Sequence, residues 1–354
     1  MKRQFFLLLA ILGISSILLS CGKGTAADNN FPSEIKKPVT PKPNKVVVAY
    51  VTSWTSAIPD AKLVTHINYA FGHVTDNFRA VRIDGPDRLR RMAALKRDNP
   101  DLKVLLSIGG WGSGRFSEMA ADAANRKSFA DDCLRVINEY KLDGVDIDWE
   151  YPTSSSAGIS SSPNDTKNYT LLMAEIRKSI GDEKLLTLAS SVGADYIDFA
   201  AINPYVDFVN IMGYDISGGT QHHSGLYRSS MSGYLSVDEG VTKHVAKGFP
   251  INKLVLGLPF YGHGKKGTVA EYIDYKEIVK LTGFTEKWDD VAKASYLTTA
   301  SGEFVCTFDS PRAIAEKCLY IKNKNMLGAM YWDYAGDTDD GVLRKAVFDG
   351  LNGK

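Results

Sequence analysis

The chain has 354 residues, 44% of them hydrophobic, and its 42 Lys and Arg residues balance 41 Asp and Glu residues. This length allows one large domain or two ordinary domains, with an ample hydrophobic core in either case. The balanced and dispersed charge gives no electrostatic reason to expect nucleic acid as a partner. The sequence also lacks a Walker-type phosphate-binding motif and a histidine-rich metal spacing, so we expect neither a cofactor nor a metal.

Residues 1–20 are predicted to be a secretion signal that lies outside the fold. A basic start precedes Phe5–Leu19, an apolar run that is too short to predict a membrane span. Leu18–Cys21 resembles the cleavage box of bacterial lipoproteins, although that box usually has a smaller residue two positions before the cysteine. We expect lipid attachment at Cys21 and a place in the cell envelope, on the outer membrane or cell surface. A plain secretory signal is the alternative.

Residues 21–44 are predicted to form a disordered tether, because they hold four prolines and several lysines without apolar periodicity. The folded part is expected to occupy 45–354. Since the tether and this part use up the chain, we expect no separate module besides them. The only expected membrane contact is the lipid anchor.

From residue 45 onward, short apolar runs rich in β-formers alternate with helical patterns. The predicted strands are Lys45–Val51, His66–Gly72, Lys103–Gly110, Gly144–Glu150, Leu185–Val192, Phe208–Asp215, Lys253–Tyr261 and Gly328–Tyr334. The clearest predicted helices are Asp87–Asp98, Arg126–Tyr140, Thr166–Ile180 and Pro311–Lys322. This alternation predicts an α/β fold, a parallel (β/α)8 TIM barrel, whose active site gathers at the carboxyl ends of the strands.

The fourth predicted strand carries the most informative feature, the stretch Asp143–Glu150 (DGVDIDWE). Alternation along a strand places Asp146, Asp148 and Glu150 on one face, with same-face neighbours roughly 6.6 Å apart. Like charges at this range cannot all ionise freely, so at least one pKa is expected to rise. This pattern is typical of a group that keeps a proton near neutral pH. A solvated acidic edge and a hard-cation site are the alternatives.

The pattern Asp-x-x-Asp-x-Asp-x-Glu, followed by Tyr151-Pro152, resembles the signature of glycoside hydrolase family 18, the chitinase family. Four further stretches resemble the family's motifs for its third, sixth, seventh and eighth strands, in that order. They are Ser107–Trp111, Met212–Asp215, Gly257–Gly262 and Met330–Trp332.

The resemblance also implies a small α+β insertion after the seventh strand, which we place at residues 263–307. The interval between Tyr261 and Gly328 is indeed 66 residues, more than one crossover helix needs. The family's Tyr-Gly-Arg is here Tyr261-Gly262-His263, and a tryptophan expected nearby is missing. We therefore expect a modified cleft wall and a weaker grip on long substrates.

Glycoside hydrolysis requires an acid, and Glu150 is the candidate because it lies last on its strand. Asp148 would raise its pKa and could share a proton with Asp146. A retaining enzyme also requires a nucleophile on the opposite face of the sugar, and Asp148 approaches from the same side as Glu150. The nucleophile could therefore be a distant carboxylate such as Asp215 or a group of the substrate itself. The resemblance implies the substrate's 2-acetamido oxygen and an oxazolinium intermediate.

The resemblance assigns further roles residue by residue. Tyr214 would bind the acetamido carbonyl, and Asp215 would contact the sugar at the cleavage point. Trp332 would form the floor beneath the reacting sugar. Trp111 and Trp54 are expected to extend this floor, although core packing is an equal alternative for Trp54. The other predicted substrate-binding residues are Met212, Tyr50, Phe71 and Gly110, although core packing is an equal alternative for Tyr50 and Phe71. Asp143 is expected to be structural.

The predicted function is cleavage of β-1,4-N-acetylglucosamine linkages in chitin or, more readily, its soluble oligomers. One alternative is an endo-β-N-acetylglucosaminidase acting on N-glycans, and another is a lectin-like protein that binds N-acetylglucosamine without catalysis. The chain is expected to be a monomer. His222-His223 is predicted to lie in a loop and Trp288 in the core. Cys133, Cys306 and Cys318 are predicted to be core thiols, with a Cys306–Cys318 disulfide as the alternative.

Overall fold

The computed structural model describes residues 45–353, and the predicted signal, cleavage box and tether all lie outside this range. Its strands are β1 Val46–Thr52, β2 His66–Val74, β3 Val81–Ile83, β4 Lys103–Gly109, β5 Gly144–Asp148, β6 Leu185–Ser191, β7 Phe208–Met212, β8 Leu254–Pro259, β9 Tyr261–Gly264, β10 Tyr272–Asp274, β11 Thr285–Asp289, β12 Ala294–Thr298, β13 Phe304–Phe308 and β14 Gly328–Trp332. Its α-helices are α1 Pro86–Ala94, α2 Phe116–Ala121, α3 Ala123–Tyr140, α4 Asp165–Ile180, α5 Phe199–Ile202, α6 Val237–Ala246, α7 Tyr275–Ile278, α8 Pro311–Asn323 and α9 Val342–Asn352.

Eight parallel strands close into a barrel in the order β1-β14-β8-β7-β6-β5-β4-β2, and β2 pairs with β1 to complete the ring. The predicted TIM barrel is therefore confirmed. β3 adds an antiparallel edge to β2. No helix in residues 45–353 is both long and apolar enough to cross a membrane.

The barrel strands divide their side chains between two cores, as the alternation of a strand requires. On β1, Val47, Ala49 and Val51 belong to the large core that includes the surrounding helices, whereas Val48 and Tyr50 belong to a smaller cluster with Met330 and Phe71. Because strands of this kind are covered on both faces, they read in sequence as nearly continuous apolar runs.

Helix boundaries follow local caps that the apolar periodicity does not reveal. α3 begins at Ala123, before the predicted Arg126, because the side chain of Asp122 accepts a hydrogen bond from the Asn125 amide at 2.8 Å. α6 begins with a capping box in which Ser236 and Glu239 satisfy each other's backbone amides. α8 begins at the predicted Pro311, after the N-cap Ser310.

A second, antiparallel sheet lies within residues 261–308, with strand order β10-β9-β13-β12-β11. The predicted strand Lys253–Tyr261 is wrong as a single element, because the chain passes from the barrel strand β8 into β9 at Phe260. The Phe260 amide donates to the Trp332 carbonyl at 2.8 Å, and the Phe260 carbonyl accepts from the Tyr275 amide at 2.9 Å. Tyr261 and His263 therefore belong to the second sheet.

Several other barrel strands also end earlier than predicted, and two of these differences concern the candidate site. β5 ends at Asp148 instead of Glu150, and β7 ends at Met212 instead of Asp215. Asp215 has a φ of 55°, in the left-handed region that no regular strand enters. Glu150 and Asp215 thus lie on the segments that follow β5 and β7, above the ring of strands.

Candidate active site

A cleft of about 290 Å³ opens at the carboxyl ends of the barrel strands. Its lining brings together most of the predicted site residues, from segments spread over the whole barrel. The lining residues are Tyr50, Trp54, Phe71, Trp111, Asp148, Glu150, Ala189, Met212, Tyr214, Asp215, Tyr261, Tyr272, Met330 and Trp332. Asp146 lies beneath this lining, inside the barrel.

Asp146 is fully buried and accepts four hydrogen bonds. Oδ2 accepts from Tyr50 at 2.7 Å and Ser107 at 2.8 Å, and Oδ1 accepts from Thr187 at 2.6 Å and Asn210 at 3.3 Å. Burial raises the pKa of Asp146, and the four donors oppose that rise. The donors come from β1, β4, β6 and β7, so this carboxyl is fixed by strands all around the barrel.

Asp148 is almost as buried but has much less support. Its Oδ1 has no hydrogen-bond partner among residues 45–353. Burial raises the pKa of Asp148 well above its usual range, and the charges of Glu150 and Asp146 raise it further. An unpartnered buried oxygen is an uncommon feature in a folded protein, and here it lines the cleft.

Glu150 is the last of the three carboxyl residues along the chain, and it lines the cleft. Burial raises its pKa to about 7, the neighbouring Tyr151 hydroxyl partly opposes the rise, and the charge of Asp215 adds to it. A carboxyl with a pKa near 7 is protonated in a large fraction of molecules at neutral pH. Glu150 can therefore donate a proton there, as a general acid must.

The shape of the strand β4 end sets the position of Asp148. Gly109 has a φ of 131°, and a Cβ at this residue would lie 2.0 Å from the Asp148 carbonyl oxygen. The Gly110 amide donates to the same oxygen at 2.9 Å. A Cβ on Gly110 would meet the Phe71 ring at 2.7 Å. Only glycine allows this close approach of β4 to the carboxyl-bearing strand.

Asp215 is held in the opposite electrostatic state. Burial would raise its pKa, but the nearby His223 imidazole, the His263 imidazole and the Tyr261 hydroxyl bring it below its usual range. His263 Nε2 and the Tyr261 hydroxyl both donate to its Oδ1 at 2.7 Å. His223 Nδ1 lies 3.7 Å from the same oxygen, beyond hydrogen-bond distance. Asp215 is thus an anion at neutral pH.

Aromatic rings form the floor and rim of the cleft. Trp332 stacks on Phe71 with centroids 5.7 Å apart, and lies 5.7 Å from Tyr50 and 6.4 Å from Trp54. Trp54 and Trp111 are both more than 60% exposed, so their faces are open to a ligand. The apolar face of a sugar ring stacks on surfaces of this kind.

Tyr261 and Tyr272 in the cleft lining, and His263 beside it, were not among the predicted site residues, and neither were Ala189 and Met330 of the lining. Tyr261 and His263 bind Asp215, and Tyr272 stacks on Tyr261 with centroids 4.3 Å apart. The Tyr261-Gly262-His263 departure from the family motif was the only sequence signal for the first two, and the pairing of β9 with β10 brings in Tyr272. Tyr214 lies beside this group, its ring 5.9 Å from Tyr261 and its hydroxyl 3.9 Å from Met330 Sδ.

Other predicted residues lie elsewhere. Asp143 binds Lys96 and the Val104 amide at the start of β5, far along the strand from the cleft. Trp288, predicted to be in the core, is half-buried beneath the Arg312 guanidinium, so that prediction is wrong. All three cysteines in residues 45–353 are buried and free, and the disulfide alternative does not occur.

Comparison with known proteins agrees with this geometry. The model of the glycosyl hydrolases family 18 matches residues 46–337. The chain is 35% identical to Chitinase A1 of Niallia circulans, over 74% of this chain and 44% of that protein. It is 32% identical to Probable chitinase 2 of Drosophila melanogaster, over 85% of this chain and 73% of that protein.

A solved structure gives the same result. The family 18 N-acetylglucosaminidase from Paenibacillus barengoltzii superposes with a TM-score of 0.80 at 35% identity, covering 87% of this chain and 100% of that one. The chain spans less than half of the Niallia circulans protein but the full length of this solved relative. The chain therefore belongs to family 18 of the glycosyl hydrolases and is a chitinase-like glycoside hydrolase.

Proposed function

We propose that the protein hydrolyses β-1,4-linked N-acetylglucosamine oligomers, with retention of anomeric configuration and with the substrate's own acetamido group as nucleophile. The observation that carries this proposal is the series Asp146, Asp148 and Glu150, which runs from four hydrogen-bond donors to an unpartnered oxygen to a carboxyl with a pKa near 7. Asp148 and Glu150 line the same cleft as the aromatic floor formed by Trp332.

In the first step, Glu150 gives its proton to the glycosidic oxygen while the bond from that oxygen to C1 breaks. The acetamido carbonyl oxygen forms a new bond to C1 on the opposite face, which produces an oxazolinium ion. The leaving sugar departs as a neutral alcohol, and Glu150 is left as a carboxylate.

The carboxylates of the cleft favour substrate assistance over direct attack. Asp148, the last residue of β5, would reach the sugar from the same side as Glu150, which follows it by two residues. Asp215 has its Oδ1 occupied by the hydrogen bonds from Tyr261 and His263, and its lowered pKa makes it a weak nucleophile. The acetamido oxygen remains as the group that can attack.

Asp148 and Tyr214 are suited to orient that group. The unpartnered Asp148 Oδ1 can accept the acetamido N–H, whose acidity increases as the ring closes. The Tyr214 hydroxyl, held near Met330, can donate to the acetamido carbonyl oxygen. Asp146 acts behind them as a positioning residue, since it lies below the lining and is fixed by four donors.

In the second step, water attacks C1 and the oxazolinium opens. Glu150, now a carboxylate, takes the proton of that water and returns to its acid form. Two inversions at C1 give overall retention, and no step uses a metal or a cofactor.

Three experiments test substrate assistance directly. A thiazoline mimic of the oxazolinium is expected to inhibit strongly and competitively. Oligomers whose 2-acetamido groups are replaced by hydroxyl groups should not be cleaved, and proton NMR of early product should show the β anomer. A product of inverted configuration, or equal cleavage of the hydroxyl analogue, would exclude the mechanism.

We also propose that the natural protein is lipid-anchored through Cys21 at the outer membrane or cell surface, with the tether holding the enzyme away from the lipid. The support is the sequence alone. Cys21→Ala should release activity from the membrane fraction, and incorporation of labelled palmitate should be lost. Unchanged membrane association and labelling would exclude attachment at this residue.

A further inference from the structure

Three potential metal-ligand side chains meet at the cleft wall formed by the second sheet. They are Asp215 after β7, His223 in the following loop and His263 on β9, and their potential ligand atoms all lie within 4.8 Å of one another. Asp215 Oδ1 lies 2.7 Å from His263 Nε2 and 3.7 Å from His223 Nδ1. The two imidazole rings stack with centroids 4.4 Å apart.

His223 is the unusual member of this cluster. Its side chain is fully buried, and neither ring nitrogen has a hydrogen-bond partner among residues 45–353. Burying an unpaired polar group is unfavourable, so such atoms usually have a missing partner. The Nδ1 of His223 faces Asp215.

We propose that Asp215, His223 and His263 form a binding site for a divalent transition-metal ion, with Zn²⁺ as the best fit, and that the bound ion inhibits the enzyme. Two imidazoles and one carboxylate with a fourth position left open are a recognised zinc ligand set. Magnesium and calcium prefer all-oxygen sites and do not fit these ligands.

The observed spacing is close to what such a site requires. Zinc bonds of about 2.0–2.2 Å in a tetrahedral arrangement place neighbouring ligand atoms roughly 3.3 Å apart. Two of the separations, 2.7 Å and 3.7 Å, lie on either side of that value, and the third is no more than 4.8 Å. Because the two imidazole rings are stacked, one of them must rotate before both can direct a nitrogen at the same ion. His263 Nε2 donates a hydrogen bond to Asp215. Ligation through this nitrogen would therefore move its proton to Nδ1, which is a change of tautomer.

An ion can reach the site from solvent. The Asp215 side chain is 56% exposed and the His263 side chain 22% exposed, whereas His223 closes the inner side. The open coordination position would therefore face the cleft. The inhibition rests on the proposed function, because Asp215 is there assigned to contact the sugar at the cleavage point. A metal on Oδ1 would compete with that contact.

Binding is tested without reference to activity. The protein, stripped with a chelator and desalted, is titrated with ZnCl₂ by calorimetry. One saturable Zn²⁺ per chain is expected. His263→Arg keeps a donor for Asp215 but cannot ligate, so it should weaken binding at least tenfold, and Asp215→Asn should do the same. Circular dichroism and thermal unfolding verify that each variant is folded.

His73→Gln is the matched control. His73 is also a partly buried histidine, and its Nε2 lies 2.9 Å from the carboxylate of Asp84, but it is outside the cluster. Its loss should leave Zn²⁺ binding unchanged. Absence of saturable binding, unchanged binding in folded His263→Arg, or an equal loss in His73→Gln would overturn the proposal.

Inhibition is measured separately, as hydrolysis of an N-acetylglucosamine oligomer with Zn²⁺ added and then removed by a chelator. Reversible loss of activity in the wild type, with at least a tenfold higher inhibitory concentration in His263→Arg, is expected. Zn²⁺ binding with no effect on hydrolysis would overturn the inhibitory role alone. If the oligomer were not hydrolysed at all, the proposed function would fail while the calorimetric result would stand.

Discussion

Glu150 and Asp146 carry the same chemical group four residues apart, and their surroundings give them different properties. Asp146 has a hydrogen bond from each of four side chains, so it is fixed and cannot approach a ligand. Glu150 lies beyond the strand end, lines the cleft and has a pKa near 7. The environment of each carboxyl, more than its identity, suits Glu150 to the proposed proton transfer and Asp146 to the proposed positioning.

Replacing the acid with its amide tests this assignment. Glu150→Gln keeps the shape of the side chain but has no proton to give at C1, so kcat should fall roughly 10²–10⁴-fold. Oligosaccharide binding, measured by calorimetry, should stay within a few fold of wild type. Turnover within tenfold of wild type would show that another group is the acid.

The pH profile follows from the direction of the Glu150 shift. Its pKa is raised, so the active acid form persists up to about pH 7 and is lost as the pH rises through that value. A plot of kcat/KM against pH should therefore fall on its alkaline side near 7. The residual rate of Glu150→Gln should lack this limb. If kcat/KM of the wild type already fell with rising pH below pH 5, the assignment of Glu150 as the acid would be contradicted.

At the scale of the elements, the sequence predicted where the barrel strands lie but not where each of them ends. Apolar β-rich runs located all eight barrel strands, because strands covered on both faces are continuously hydrophobic. The end of β5 at Asp148 and the break at Phe260 depend on hydrogen bonds to distant segments, such as that from the Phe260 amide to Trp332. Sequence periodicity contains no information on such partners.

The junction of β4 and β5 provides a test at this scale. Gly109→Ala would place a Cβ 2.0 Å from the Asp148 carbonyl oxygen at a φ of 131°, so it should lower the melting temperature and displace Asp148. Activity should fall at least tenfold. Gly158→Ala is the control, with a φ of 73° and open space around its Cβ. It should cost about 1 kcal/mol and leave turnover intact. Equal effects would exclude the packing argument.

The aromatic floor is a second element whose role is measurable. Trp332→Ala removes the ring that stacks on Phe71 and should weaken oligosaccharide binding roughly tenfold or more, since each stacked aromatic contributes about 1 kcal/mol beyond its buried area. Trp288→Ala, outside the cleft, should leave binding unchanged. Loss of affinity in both variants alike would indicate a general effect on the fold.

Across the whole molecule, the barrel turns a linear set of motifs into one site. Residues from Tyr50 to Trp332 meet at one cleft because parallel strands all end on the same side of the ring. Motif positions therefore sufficed to predict the carboxyl series, Tyr214 and the tryptophan floor as neighbours. Tyr261, His263 and Tyr272 were not predicted as site residues. A second sheet, which forms through tertiary contacts, places them in or beside the cleft.

The most direct test is to incubate residues 45–354 with a ladder of N-acetylglucosamine oligomers and, in parallel, a high-mannose glycoprotein, and to read products by mass spectrometry. Glu150→Gln serves as the control. The account predicts shortened oligomers from the wild type and almost none from the variant. Glycans released with one N-acetylglucosamine left on the protein, and oligomers left intact, would contradict it in favour of an N-glycan substrate. If neither substrate were cleaved while the oligomers were still bound, the claim that the protein is an enzyme would be contradicted.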